Sequence, residues 1–97
     1  MPTFVLSLDF TEQGVRTIKD APKRAKAARE LAQKLHVDIQ QVFLNTGEHD
    51  LLLIAQAPDG ENIAKFALAL SSLGNVRTHT ARAWPESEFL KVVSELP

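Results

Sequence analysis

"VDIQQVFLNTGEHDLLLIAQA", residues 37–57, decides the fold. Two runs rich in β-branched and large apolar residues flank the polar segment "GEHD", and Gly47 can take the positive φ that tight hairpins often require. The stretch therefore reads as two antiparallel strands joined by a turn. What lies on either side of this hairpin sets the topology.

Upstream, "TFVLSLDF" alternates, with Phe4, Leu6, Leu8 and Phe10 on one face and Thr3, Val5, Ser7 and Asp9 on the other, as a half-buried strand does. A short helical stretch follows "TEQG", and "APKRAKAARELAQKLH" is an amphipathic helix, with Pro22 in its first turn and Ala25, Ala28, Leu31, Ala32 and Leu35 at helical spacing. Downstream, "PDGENIAKFALALSSLG" has Asp59 as N-cap, Ile63, Phe66, Ala67, Leu70 and Leu73 on one face, and Gly74 as its stop. "NVRTHTARAW" is a further strand, and Pro85 opens a last helix whose Glu86 and Glu88 suit the positive end of the helix dipole. The order β-α-β-β-α-β plus a C-terminal helix is an α+β, ferredoxin-like unit with a four-stranded antiparallel sheet and both main helices on one face. No linker or repeat divides the chain, so residues 1–97 read as one domain.

Eleven Lys and Arg against twelve Asp and Glu give a formal charge of −1, which supplies no global field for nucleic acid or an anionic membrane. The basic residues of the first helix, Lys19, Lys23, Arg24, Lys26, Arg29 and Lys34, come without an aromatic stacking platform and read as a solvated face. Cysteine is absent, which removes disulfides and thiolate chemistry together. "MPTFVLSLDF" lacks the basic start and continuous apolar run of a signal peptide, and no run reaches the roughly 20 apolar residues of a membrane span, so a cytoplasmic protein is expected. The four glycines form no phosphate loop or dinucleotide fingerprint, and no cofactor is expected.

A sheet with helices on only one side leaves its other face open. That face displays Val5, Ser7 and residues such as Gln56 and, from the last strand, either Thr78, Thr80 and Arg82 or Arg77 and His79. Ala81 and Ala83 suit close helix packing, which favours Thr78, Thr80 and Arg82 on the open side. Such a face is too apolar to stay wet and too polar to be core, and an isologous homodimer would cover it.

The start "MPTFVLSLDFTEQGVRTIKDAPKR", the turn "GEHD" and the run "KFALALSSLGNVRTHTARAW" resemble the GYD domain family of small bacterial and archaeal proteins over nearly the whole chain. The resemblance implies the ferredoxin-like fold and a dimeric α+β barrel assembly, and brings no established biochemical function. Gly47 and Asp50 match the Gly-Tyr-Asp signature, while His49 stands where the phenol is usual, and no tyrosine occurs elsewhere.

In this topology Asp9, Glu12, His49, Asp50, Arg77 and His79 collect at one edge, the end of the first strand beside the hairpin turn. A histidine among carboxylates has the chemistry of a general base or a metal ligand. Polar residues also gather at strand ends because turns are solvated, and Asp50 is placed to fix the hairpin by accepting backbone hydrogen bonds. Asp9, His49 and His79 have ligand types acceptable to zinc, but their spacing matches no metal motif, so no metal is assigned from sequence. The preferred expectation is a binding or assembly module that holds a small organic ligand or docks a protein, with Val5, Ser7, Thr78, Thr80, Arg82 and Trp84 lining the interior. The alternative is a small cofactorless enzyme, a monooxygenase or isomerase, using His49, Asp50 and Asp9 for proton transfer.

Overall fold

A computed structural model describes residues 1–97. The elements are β1 (Thr3–Phe10), α1 (Glu12–Arg16), a 3-10 turn (Ile18–Asp20), α2 (Ala21–Lys34), β2 (Asp38–Leu44), β3 (Leu51–Gln56), α3 (Gly60–Ser72), β4 (Val76–Ala83) and α4 (Glu86–Ser94). All strand pairs are antiparallel, in the order β2-β3-β1-β4. This α+β arrangement of a four-stranded antiparallel sheet and four helices is consistent with a ferredoxin-like fold.

Three local features show how the chain is punctuated. Asp59 caps α3, its carboxylate accepting the Glu61 amide at 2.7 Å. Helix α2 ends without glycine: His36 adopts φ 60°, and the Val37 and His36 amides donate to the Ala32 and Gln33 carbonyls, a Schellman closure that seats buried Val37 against the core. Gly74 takes φ 86° after α3, as its position predicts, whereas Gly47 has no positive φ. The reason is loop length: β2 and β3 are separated by residues 45–50, too long to need a two-residue primed turn.

The core is built on β1. Phe4, Leu6 and Leu8 point to the helices and meet Leu53 and Ala55 of β3, Ala32 of α2, and Ile63, Phe66 and Leu70 of α3. Of the apolar face read on α3, Leu73, which caps the C-terminus of the helix, is exposed. Between α2 and the sheet lies an apolar cavity of about 530 Å³ lined by Leu8, Ala25, Ala28, Val42, Leu51 and Leu53 among others. Only 13 of the 97 residues are buried, so much apolar surface stays outside this core.

Strand register fixes which residues share the open face. Val5 pairs with Ile54 and Ala81, and Ser7 with Leu52 and His79, so these side chains lie together away from the helices, with Phe43 opposite Leu52 on β2. Thr78, Thr80 and Arg82 pair with Leu8, Leu6 and Phe4 and therefore lie on the helix side. This reverses the sequence expectation for β4. Its cause is the pairing parity with β1: the Thr78 hydroxyl sits 3.4 Å from that of Ser71 on α3, and the Arg82 guanidinium lies over the Phe4 ring. The six residues expected to line one interior thus divide between the two faces and, for Trp84, the β4–α4 connection.

Candidate functional site

The residues at the end of the open face are brought together by three separate elements. Asp9 is the penultimate residue of β1, His79 lies on β4 diagonally across from it, and His49 reaches in from the β2–β3 loop. His49 Nδ1 is 3.0 Å from Asp9 Oδ1 and 3.2 Å from Oδ2, while His79 Nε2 is 3.2 Å from Oδ2. The two imidazole centroids are 5.0 Å apart with their planes tilted by 40°, so the rings flank the carboxylate without stacking flat on each other.

The loop that carries His49 is tied down by its neighbour. Asp50 Oδ2 accepts the Phe10 amide at 2.8 Å, the Asp50 amide donates to the Leu8 carbonyl at 3.0 Å, and the Asn45 amide donates to the Asp50 carbonyl at 2.7 Å. The fixing function read for Asp50 is realised, but against β1 more than within its own hairpin. This leaves Asp9 and the two histidines as the chemically available groups.

The His49 hydrogen bond, above all, holds the Asp9 carboxyl below its ordinary range; desolvation opposes this, and the nearby His79 acts in the same direction as His49. Glu12, expected in the same cluster, pairs instead with Arg16 one helical turn away. Arg77 stands directly opposite Asp9 in the register, so the edge also carries a cation.

Of the other expected site residues, Arg82 and Trp84 form a second constellation at the opposite end of the sheet. The Arg82 guanidinium donates to the Thr3 carbonyl at 3.1 Å and to the Ala83 carbonyl, lies 4.5 Å from the Trp84 ring centroid, and is 3.9 Å from Glu88 of α4. Arg82 is therefore a clamp joining β1, β4 and the start of α4. Trp84 is half-exposed and stacks on that clamp.

Two features escaped the sequence. Leu52, Ile54 and Phe43 belong to the open face, hidden because "LLLIA" is apolar at every position and shows no alternation. Helix α4 buries none of its residues: Phe89, Val92 and Val93, spaced as one helical stripe, are all exposed. That stripe is legible in the sequence, but nothing there says it lacks an internal partner.

Fold and site together define a small ferredoxin-like α+β domain with an open sheet face and a His-Asp-His edge. The chain belongs to the GYD domain family, whose model matches residues 4–93. It is 30% identical over 91 residues to the glutamine synthetase and cystathionine beta-lyase binding protein of Thermus thermophilus, covering 93% of this chain and 96% of that one. Among solved structures it is similar to TTHA0845, also from Thermus thermophilus, with a TM-score of 0.56, 23% identity, and coverage of 88% of this chain and 95% of that one. It is also similar to MtbAldR (Rv2779c), with a TM-score of 0.54, 16% identity, and coverage of 84% of this chain and 51% of that one. These two structural likenesses speak to the fold alone. No helix is long and apolar enough to cross a membrane.

Proposed function

We propose that this chain is a protein-docking module that assembles as a homodimer through its open sheet face and presents α4 to a partner enzyme. The observation that carries the reading is surface left over. The isolated chain exposes 6703 Å², against about 5,500 Å² for a monomer of this mass. The excess, on the order of 1,200 Å², exceeds the roughly 800 Å² that one partner contributes to a standard interface. Its radius of gyration, 14.6 Å, likewise exceeds the roughly 12.5 Å of a compact chain this long.

Each apolar surface has a different candidate occupant. The open face gathers Val5, Leu52, Ile54, Phe43 and Ala81 from four strands and buries none of them, which suits a second copy in a dimeric α+β barrel. The stripe on α4 projects Phe89, Val92 and Val93 in the i, i+3, i+4 pattern with which a helix enters a groove. The relative from Thermus thermophilus, named for binding two enzymes, supports a protein as that occupant. A small organic ligand is the second reading, favoured by the apolar cavity beneath α2, whose volume is in the range of ligand pockets.

One native mass spectrometry series tests both interfaces. The wild-type chain is expected to be an even oligomer and to form a complex with purified glutamine synthetase or cystathionine beta-lyase. Ile54→Glu, which buries an unpaired charge in the sheet interface, is expected to weaken self-association at least about a hundredfold. Phe89→Glu should keep the dimer and lose the enzyme complex. A bare wild-type monomer would overturn the homodimer, and an enzyme complex indifferent to Phe89→Glu would overturn docking through α4. A discrete extra mass on the wild-type chain would mark the organic ligand.

A further inference from the structure

The geometry points to a binding site for one divalent transition-metal ion of the zinc class, held by the Asp9 carboxylate, His49 Nδ1 and His79 Nε2. One donor atom from each residue lies within 4.8 Å of the others. The Asp9–His49 and Asp9–His79 separations of 3.0 and 3.2 Å are close to the roughly 3.3 Å between neighbouring donors around a tetrahedral ion with bonds of about 2.0 Å. An ion can enter by displacing the two contacts to the carboxylate, with side-chain adjustments well short of a change in backbone.

The chemistry of the set selects the class of ion. Two imidazoles and one carboxylate suit zinc, cobalt or nickel, whereas magnesium and calcium prefer all-oxygen shells. Both imidazoles converge on the same carboxylate, His49 Nδ1 within reach of both its oxygens and His79 Nε2 of Oδ2. A carboxylate needs only one such neighbour to be satisfied at a half-exposed strand end; two converging imidazoles from different elements exceed that need. Preorganisation is supplied by Asp50, whose contacts with Phe10 and Leu8 hold the loop bearing His49 against β1. Three protein donors leave a fourth position for water or for a donor brought by a bound partner.

His49 gives this chain a ligand that the family signature does not prescribe, since an imidazole stands where the phenol is usual. The site lies at the end of the open face and away from the α4 stripe, and its test uses none of the substitutions that probe the two docking surfaces.

The test is calorimetric addition of zinc chloride to the metal-stripped protein, with long-range ¹H–¹⁵N spectra of the histidine rings. One ion per chain is expected, with metal-induced shifts at Nδ1 of His49 and Nε2 of His79. His49→Tyr, His79→Ala and Asp9→Asn should each weaken binding at least about tenfold, since even residues that merely support ligands cost ten- to a hundredfold. All three positions are partly exposed, so circular dichroism should report an unchanged fold. His36→Gly, which removes the third histidine at a positive φ that glycine accepts, should leave affinity unaltered. Absence of saturable zinc binding, or binding that persists undiminished in His49→Tyr and His79→Ala, would overturn the site.

Discussion

Phe66→Ala is expected to lower the unfolding free energy by about 3–5 kcal/mol, the usual cost of truncating a buried aromatic to alanine. Phe66 is fully buried at the centre of α3, flanked by Ile63 and Leu70 on the same helix face and belonging to one core with Leu6 of β1. The core is small, so few neighbours can move in to fill the space. A domain of this kind has a total stability of only about 5–15 kcal/mol, and the substitution would remove a large part of it. The check is urea unfolding followed by circular dichroism, in which the midpoint should fall with little change in slope. Leu68→Ala, on the exposed side of the same helix, should stay within about 0.5 kcal/mol. Equal losses at both positions would show that α3 is not oriented as described.

These leucine and phenylalanine positions also show why much of the fold could be read directly. Helix α3 alternates its apolar and polar residues with helical period, and β1 alternates with period two, so each announces its buried face. The six-element order followed from those periods and from the punctuation at Asp59 and Gly74. Strand β4 offered no such signal. "VRTHTARA" mixes polar and small residues on both faces, and only its pairing with β1, Ser7 opposite His79 and Phe4 opposite Arg82, sets which side is open. Choosing by the size of Ala81 and Ala83 failed because the guanidinium of Arg82 can lie along the core edge while its charge reaches carbonyls and Glu88.

The candidate site was legible as a neighbourhood and not as a geometry. Strand order alone brings the ends of β1 and β4 and the β2–β3 loop together, which gathers Asp9, His79 and His49. Spacing in the chain carries no such information, since the residues that meet are 40 and 70 positions apart along it. Nor does the sequence say that Glu12 turns to Arg16 and leaves the cluster. The GYD resemblance adds the place of the signature turn, while the imidazole in it is a property of this chain.

Gly14→Ala is expected to destabilise the fold by about 2–4 kcal/mol, against the usual gain from placing alanine in a helix. A Cβ built on Gly14 would lie 2.1 Å from the Asn75 carbonyl oxygen and 3.0 Å from its carbon, both backbone atoms. Neither side can retreat freely. The Asn75 carbonyl accepts the Thr11 amide at 3.1 Å, the Thr11 hydroxyl donates to the Gly74 carbonyl at 2.6 Å, and Gln13 Nε2 donates to the Asn75 side chain at 2.9 Å. Gly74 is itself held at a positive φ, and Arg24 of α2 donates to the Gly14 carbonyl at 3.1 Å. Making room therefore means lifting α1 from the α3–β4 connection and breaking some of these bonds, at about 1 kcal/mol each. Overpacking adds roughly 1–3 kcal/mol, and the helix preference of alanine over glycine returns only about 1 kcal/mol. Gly60→Ala is the matched control: it opens α3, has nothing within 4 Å of its added Cβ, and should be neutral or stabilising by up to about 1 kcal/mol. Urea unfolding of the pair separates backbone crowding from helix propensity. If Gly14→Ala were as stable as Gly60→Ala, the close approach of α1 to Asn75 would be refuted, because propensity alone predicts a gain at both sites.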